Sequence, residues 1–252
     1  MAQTLQLLAL DTSTDRMSVA VERSVAGVPR VWSFEGPGGA IASSLLIPTI
    51  LDLMAQAGLA FADLDAIVFG RGPGAFTGLR GACAVAQGLG FGARARDGGA
   101  PVPLLPLDSL LALAEEARFR HAPHAAPWQV LAMLDARMDE IYAGRYRWDG
   151  LCWVTLSEPA LAHPQDLRID AGLAMAGNVF ETYGARLQAD TTVAHLHALP
   201  TAGAMLRLAP ALLAAGHGVD PAQALPSYIR DKVASTSSER AAAKAAATLS
   251  TS

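Results

Sequence analysis

The sequence predicts an α/β layer fold assembled from two related halves, the second eroded. Three observations carry this reading. Near the N-terminus three strand-like segments stand in a row and then give way to alternating helices and strands. A glycine-dense turn joins one of the later strands directly to a helix. After the Pro/Ala/His-rich stretch His121 to Pro127, a strand, a polar turn and a strand recur as they did at the start.

Leu5 to Leu10 is a continuous apolar run, as expected of a central strand. Asp11-Thr12-Ser13-Thr14-Asp15-Arg16 is turn chemistry, rich in side chains that bond their own backbone. Met17 to Val21 alternates and pairs back as a hairpin. A third strand fits Val31 to Glu35 and ends at Gly36-Pro37-Gly38-Gly39. Ile41 to Ala57 reads as a helix in which Pro48 lies near the first turn or makes a kink. Ala66 to Phe69 is a buried strand, Gly70 to Arg80 the glycine turn, and Leu79 to Phe91 a second helix. Val102 to Leu105 is a short fifth strand, and Asp108 or Ser109 caps a helix through Arg120.

In the second half Trp128 to Leu134, Ile141 to Arg147 and Leu151 to Leu156 read as strands, with a turn at Asp135 to Asp139. Weaker pairs follow: Leu173 to Ala176 with a helix near Phe180, and Thr192 to Ala194 with a helix from about Thr201 to Ala215. The expected division is 1–106, 107–233 and a polar, alanine-rich tail at 234–252. The tail is either a surface helix capped at Ser237 or Ser238, or disordered.

At 252 residues, 52% hydrophobic and 17% charged, the chain has material for one large or two small domains. The net charge of −4 and the lack of a basic stripe argue against autonomous nucleic-acid binding. The start has no basic leader, and no apolar run reaches membrane-spanning length without an Asp, Arg or Pro, so a cytoplasmic protein without membrane contact is expected. Cys83 and Cys152 lack C-x-x-C spacing and read as buried free thiols.

The glycine turn carries no lysine, so it is not a P-loop; a tight turn with close helix packing suits it better than a nucleotide. The six histidines, at 121, 124, 163, 195, 197 and 217, imply no third ligand and read as surface residues, so no metal is expected. No G-x-S-x-G is present, and neither cysteine has a nearby His/Asp pattern. Glu140 and Tyr142 share one strand face; with Arg137 they form either a salt-bridged turn or a cleft wall. Pro226 to Arg230 is expected to dock across the cleft between halves or to form an ordinary packed loop.

The interior glycines of the second helix each cost about 1 kcal/mol relative to alanine, so a packing reason is required. Gly81, Ala84 or Val85, Gly88 and Gly92 follow helical spacing and make a shallow groove for another helix, with Gly78 at the helix start. The preceding helix offers Leu46, Ile50 and Met54 on one face and Ile47 and Leu51 on another. Together these residues form the expected interface with a partner, or with a second copy when the partner is absent.

Four stretches, in order and at fitting spacing, resemble the TsaB family of bacterial tRNA threonylcarbamoyladenosine biosynthesis proteins. They are Leu8 to Thr14; Gly70 to Gly81, with Arg71, Gly72, Pro73, Gly74, Phe76, Thr77 and Arg80; Asp135 to Gly144, with Arg137, Glu140 and Tyr142; and Pro226 to Ala234, with Tyr228 and Arg230. The resemblance implies two RNase H-like halves of the actin-like ATPase (ASKHA) fold. It implies a non-catalytic role in placing a threonylcarbamoyl group on N6 of the adenosine beside the anticodon of tRNAs that read ANN codons. The implied partners are a TsaD-like paralogous metalloenzyme and a TsaE-like ATPase, with tRNA met only through the complex; a separate enzyme supplies threonylcarbamoyl-AMP. One departure is that Ala42-Ser43-Ser44-Leu45 stands where members often carry His-Ser-Glu-Arg. In the wider fold the first hairpin turn holds phosphate, which makes Asp11, Thr12, Ser13 and Thr14 the nucleotide candidates. Ser13 stands where a phosphate wants glycine, and Ala136 and Arg137 occupy the equivalent second turn. Asp11 either reaches Mg²⁺ through water or, with Thr12, bonds the turn backbone. No cofactor is expected. The rival readings are an actin-like-fold ATPase or small-molecule kinase, and a glycoprotease-like metallopeptidase.

Overall fold

A computed structural model of the chain describes residues 5–93, 99–170, 172–187 and 193–230. Two mixed five-stranded sheets repeat one topology. The first contains β1 (Leu7–Asp11), β2 (Arg16–Val25), β3 (Val28–Pro37), β4 (Ala66–Gly72) and β5 (Leu104–Asp108), in the order β3-β2-β1-β4-β5. The second contains β6 (Trp128–Arg137), β7 (Glu140–Trp148), β8 (Trp153–Ala162), β9 (Ala174–Gly177) and β10 (His195–His197), in the order β8-β7-β6-β9-β10. In each sheet the first strand pairs antiparallel with the second and parallel with the fourth. The α/β fold of two RNase H-like halves is therefore present.

The erosion of the second half has a definite form. In the first half α1 (Ala42–Ala57) and α2 (Phe76–Gly92) cover one sheet face. In the second, among the described residues, a single 3-10 turn at Pro164–Asp166 stands between β8 and β9, and α4 (Phe180–Tyr183) is one turn long. Leu167, Ile169, Phe180 and Leu187 cover that face instead.

The inner faces are closed by an exchange. Helix α3 (Ser109–His121) follows the first half's last strand, yet it sets Leu110, Leu113, Ala114 and Ala117 against β6 and β7 of the second sheet. Helix α5 (Ala202–Ala214) follows the second half's last strand and packs Ala204, Met205 and Leu208 on the first sheet, among Leu7, Ala9 and Val68. The two helices also pack on each other. Across that contact Glu115 accepts from Arg118, from Arg207 at 2.8 Å and from the Trp153 indole at 3.0 Å. Glu116 accepts from Arg207 at 2.7 Å and from Thr201 at 2.8 Å. Burial pushes both carboxyls upward, but these donors outweigh it and hold both below the usual carboxylate range.

Several expectations need correction. Of the two alternatives for Pro48 the first fails: it lies in the interior of α1, where its missing N–H leaves the Ser44 carbonyl without its helical donor. Of the strand expected at Thr192 to Ala194, Thr192 lies outside the described residues, and the strand observed here is His195–His197. Strand β8 starts two residues later and runs six further than expected. Cys152 is exposed, not buried; its thiol donates to Asp149 at 3.2 Å. Despite Pro48 and Asp52, Gly39–Ala57 is long and apolar enough to cross a membrane by length and composition. Here one side of it lies on the first sheet, with Leu46, Ile50, Leu53 and Met54 in the core. The expected tail at 234–252 lies outside the described residues.

Candidate functional site

A cleft of about 700 Å³ runs between the halves. The β1–β2 turn (Ser13, Thr14, Asp15, Arg16) and the glycine turn (Gly74, Ala75, Phe76) form one wall. Asp135, Ala136, Arg137, Met138, Tyr142, Asn178 and Arg230 belong to the other. Asp11 and Thr12 do not line it.

The first wall is built by backbone meeting backbone. Asp11 is buried, and its Oδ1 accepts from the Ser13 amide at 2.9 Å and the Ser13 hydroxyl at 2.7 Å. Its Oδ2 has no partner. Burial pushes the Asp11 carboxyl up to about 6, against the Ser13 bonds and the nearby Ser109 hydroxyl, which likewise has no hydrogen-bond partner. The Ser13 carbonyl accepts from the Ala75 amide at 2.7 Å, and the Thr12 hydroxyl donates to the Gly78 carbonyl at 2.7 Å. A Cβ on Gly74 would lie 2.4 Å from the Ser13 carbonyl oxygen, and one on Gly78 would lie 1.9 Å from that of Thr12. These glycines thus serve close approach to the hairpin turn.

The second wall mirrors the first. Asp135 Oδ1 accepts from the Arg137 amide at 2.8 Å, as Asp11 does from Ser13, and also from the Tyr183 hydroxyl at 3.0 Å. The Asp135 amide donates to Asn178 Oδ1 at 3.0 Å. Asn178 therefore secures the turn and does not cap α4. Arg137 pairs with Asp135 at 2.9 Å and is 80% exposed at the cleft. Arg137, Met138 and Asp139 all have positive φ, at 59°, 53° and 67°. Three successive non-glycine residues in that region make a strained turn.

A nucleotide would need free amides in both turns. The Ser13, Ala75, Asp135 and Arg137 amides already donate within the protein. The residues present therefore do not fit a phosphate held as the wider fold holds it. Among the described residues no three or more His, Cys, Asp or Glu side chains converge into a metal-holding group. His195 instead stacks on Phe180 at 4.8 Å, with His197 edge-on at 5.3 Å.

The family-motif residues of the C-terminal segment join both walls. The Ser227 amide donates to the Arg71 carbonyl at 2.7 Å. Tyr228 packs on Phe76 with ring centroids 5.1 Å apart and accepts from Arg80 Nε at 3.0 Å. Arg230 pairs with Glu140 at 2.6 Å. The sequence reading placed Ser227 in the docking segment without its partner, and it missed Asn178's role and Gln87; Gln87 holds the Pro221 and Ala224 carbonyls at 3.2 and 2.9 Å. Their acceptors are backbone oxygens more than 100 positions away in two of these cases, which no local pattern marks.

A second feature lies on the outside of the first half. Ile47, Ile50, Leu51, Phe61, Val85 and Gly88 belong to an apolar groove of about 290 Å³ between α1 and α2. Ile47 and Leu51 are 50% and 51% exposed, and Gly81 and Gly88 face open space. The expected interface is corrected at four positions. Leu46 and Met54 are core residues, Ile50 contributes only to the groove floor, and Gly78 faces Thr12.

Residues 42–238 match the family model described as TsaD: tRNA N6-adenosine threonylcarbamoyltransferase. The chain is 30% identical to the tRNA threonylcarbamoyladenosine biosynthesis protein TsaB of Haemophilus influenzae over 251 residues, spanning 92% of this chain and 96% of that one. It is 27% identical to the Escherichia coli protein of the same name, over 91% of this chain and 96% of that one. Among solved structures, YeaZ from Pseudomonas aeruginosa superposes with a TM-score of 0.76 at 37% identity, over 89% of this chain and 99% of that one. A Pseudomonas aeruginosa protein described as uncharacterized, with similarity to peptidase YEAZ, gives 0.77 at 35%, over 90% of this chain and 100% of that one.

Proposed function

The chain belongs to the TsaB family of tRNA threonylcarbamoyladenosine biosynthesis proteins, and we propose that it is the non-catalytic scaffold and activator of the complex that makes this modification. Its partners in this reading are a TsaD-like metalloenzyme and a TsaE-like ATPase, and it meets tRNA only through them. The observation that carries the non-catalytic part is the engaged state of both hairpin turns. A phosphate entering the first would meet the Ser13 carbonyl, held by Ala75, where the chemistry needs free donors. The second offers Arg137 and an amide already bonded to Asp135. Either rival, the actin-like-fold ATPase or small-molecule kinase or the glycoprotease-like metallopeptidase, needs a phosphate cradle or a ligand cluster that these residues do not supply.

The groove between α1 and α2 supports the partner surface. Exposed Ile47 and Leu51 with half-buried Val85, beside open glycines, permit a second helix to approach closely. The occupant in this reading is an equivalent helix pair of the paralogous enzyme, or of a second copy of this chain. The test is reconstitution from purified proteins: this chain, the TsaD-like enzyme, the TsaE-like ATPase, a source of threonylcarbamoyl-AMP and an ANN-reading tRNA. Modified nucleoside, measured by mass spectrometry, should form with the chain and fall to background when it is omitted. Full modification in its absence, or ATP turnover by the chain alone, would overturn the reading.

A further inference from the structure

After α5 the chain returns to the first half and then crosses the cleft. Val219 exchanges hydrogen bonds with Leu104 at 2.9 and 2.8 Å. Pro221 sits over Gly90, where a Cβ would lie 2.9 Å from its ring. Gln87 and Cys83 of α2 hold the Ala224 carbonyl at 2.9 and 3.4 Å. Ser227 bonds the Arg71 carbonyl, and Tyr228 closes over Phe76, with the Arg80 guanidinium 3.9 Å from the Phe76 ring centre. One residue later the chain is in the second half: Ile229 packs with its core. Arg230 donates to the Ala136 and Arg137 carbonyls at 3.1 and 3.3 Å and to Glu140 at 2.6 Å.

The two ends of this strap hold different objects. At one end is a rigid helix. At the other is the strained turn at Arg137 to Asp139, whose carbonyls Arg230 collects in one fork. Elsewhere the halves meet at the α3–α5 contact, through Arg207, Glu115 and Glu116, and through Tyr146, whose hydroxyl donates to Asp108 at 3.0 Å. None of these residues lines the cleft. The arrangement has a pivot at the exchanged helices and a tie at the cleft.

We propose that Ser227–Arg230 is a latch: it fixes the width of the cleft by tying α2 to the β6–β7 turn, and its release lets the halves swing apart about the α3–α5 contact. Tyr228 and Arg230 are its two teeth, on opposite walls. The device depends on contacts within this chain and stands whether or not the proposed partners are correct.

Single-molecule two-colour fluorescence transfer in the full chain tests this without interference from self-association. Dyes go on Arg16→Cys and Glu181→Cys, which belong to opposite cleft walls, in a Cys152→Ser background; Cys83 is buried. The latched protein should give one narrow high-transfer population. Arg230→Ala should add or shift to a lower-transfer population, and Glu140→Gln, which keeps shape and removes only the charge, should move the same way by less. Hydrogen exchange followed by mass spectrometry separates opening from unfolding: peptides over 70–76 and 135–140 should exchange faster while those over β1 and over residues 128–134 of β6 keep their protection. Unchanged transfer and exchange in both variants would overturn the latch. If Arg230→Ala also exposes β1 and β6, Glu140→Gln alone decides by the same two outcomes.

Discussion

Asp11 and Asp135 hold equivalent places and equivalent bonds, each accepting from the amide two residues on. Their surroundings differ. Asp11 is buried with one oxygen unpartnered, and its carboxyl rises from 3.8 to about 6. For a raised acid the folded state is favoured by protonation. Its contribution is therefore fully present below the unfolded value of 3.8 and is lost as pH rises through about 6. Asp11→Asn keeps an acceptor for Ser13 and removes the titration. Between pH 4 and 7 the parent protein should lose about 2 kcal/mol of unfolding free energy relative to the variant. Urea unfolding across that range checks this; parallel curves for the two proteins would refute it.

At the scale of elements, α2 contains glycines of two kinds. Gly78 is pressed against the Thr12 carbonyl, whereas Gly81 faces open space. Gly78→Ala should cost about 3 kcal/mol, because neither backbone can yield easily. Gly81→Ala should add up to about 1 kcal/mol through helix propensity alone. Thermal unfolding of the pair measures both, and equal effects would contradict the assignment. The sequence pattern showed that so many glycines needed a packing reason, but not which backbone each one meets, since a carbonyl oxygen has no letter of its own. The same limit hid the partner of Arg230. By contrast β1, β4 and β6 were legible from their apolar residues, and the cap was legible as Asp108 or Ser109; the Asp108 carboxylate is the one that accepts, from the Leu110 and Leu111 amides at 2.7 and 3.3 Å. Strand β10 was misplaced because His195-Leu196-His197 has one apolar residue, and its pairing with β9 outweighs local preference. Helix α1 was legible in extent, but its apolar residues alone did not tell groove from core.

At the scale of the whole molecule, the α1–α2 groove is an apolar surface that no other described residue covers. Gly88→Leu with Leu51→Arg fills the α1–α2 groove and charges its rim, and both positions have room for the change. The double variant should lose self-association and binding to the TsaD-like enzyme while its circular dichroism stays unchanged. Sedimentation velocity and a pull-down with purified enzyme read this out, and intact assembly of the folded variant would reject the groove as the contact.

The exchange of α3 and α5 also bears on how such a chain is made. A ribosome releases the first sheet long before α5, yet Leu7, Ala9 and Val68 share their core with Ala204, Met205 and Leu208, which emerge only with residues 202–214. The nascent first half must wait with a bare apolar face while most of the second is synthesised. Independent, N-terminal-first maturation, the usual course for two-domain chains, is closed to it. Folding should finish as a single late event, and a chaperone that shields apolar surface has its longest claim on this chain during that interval.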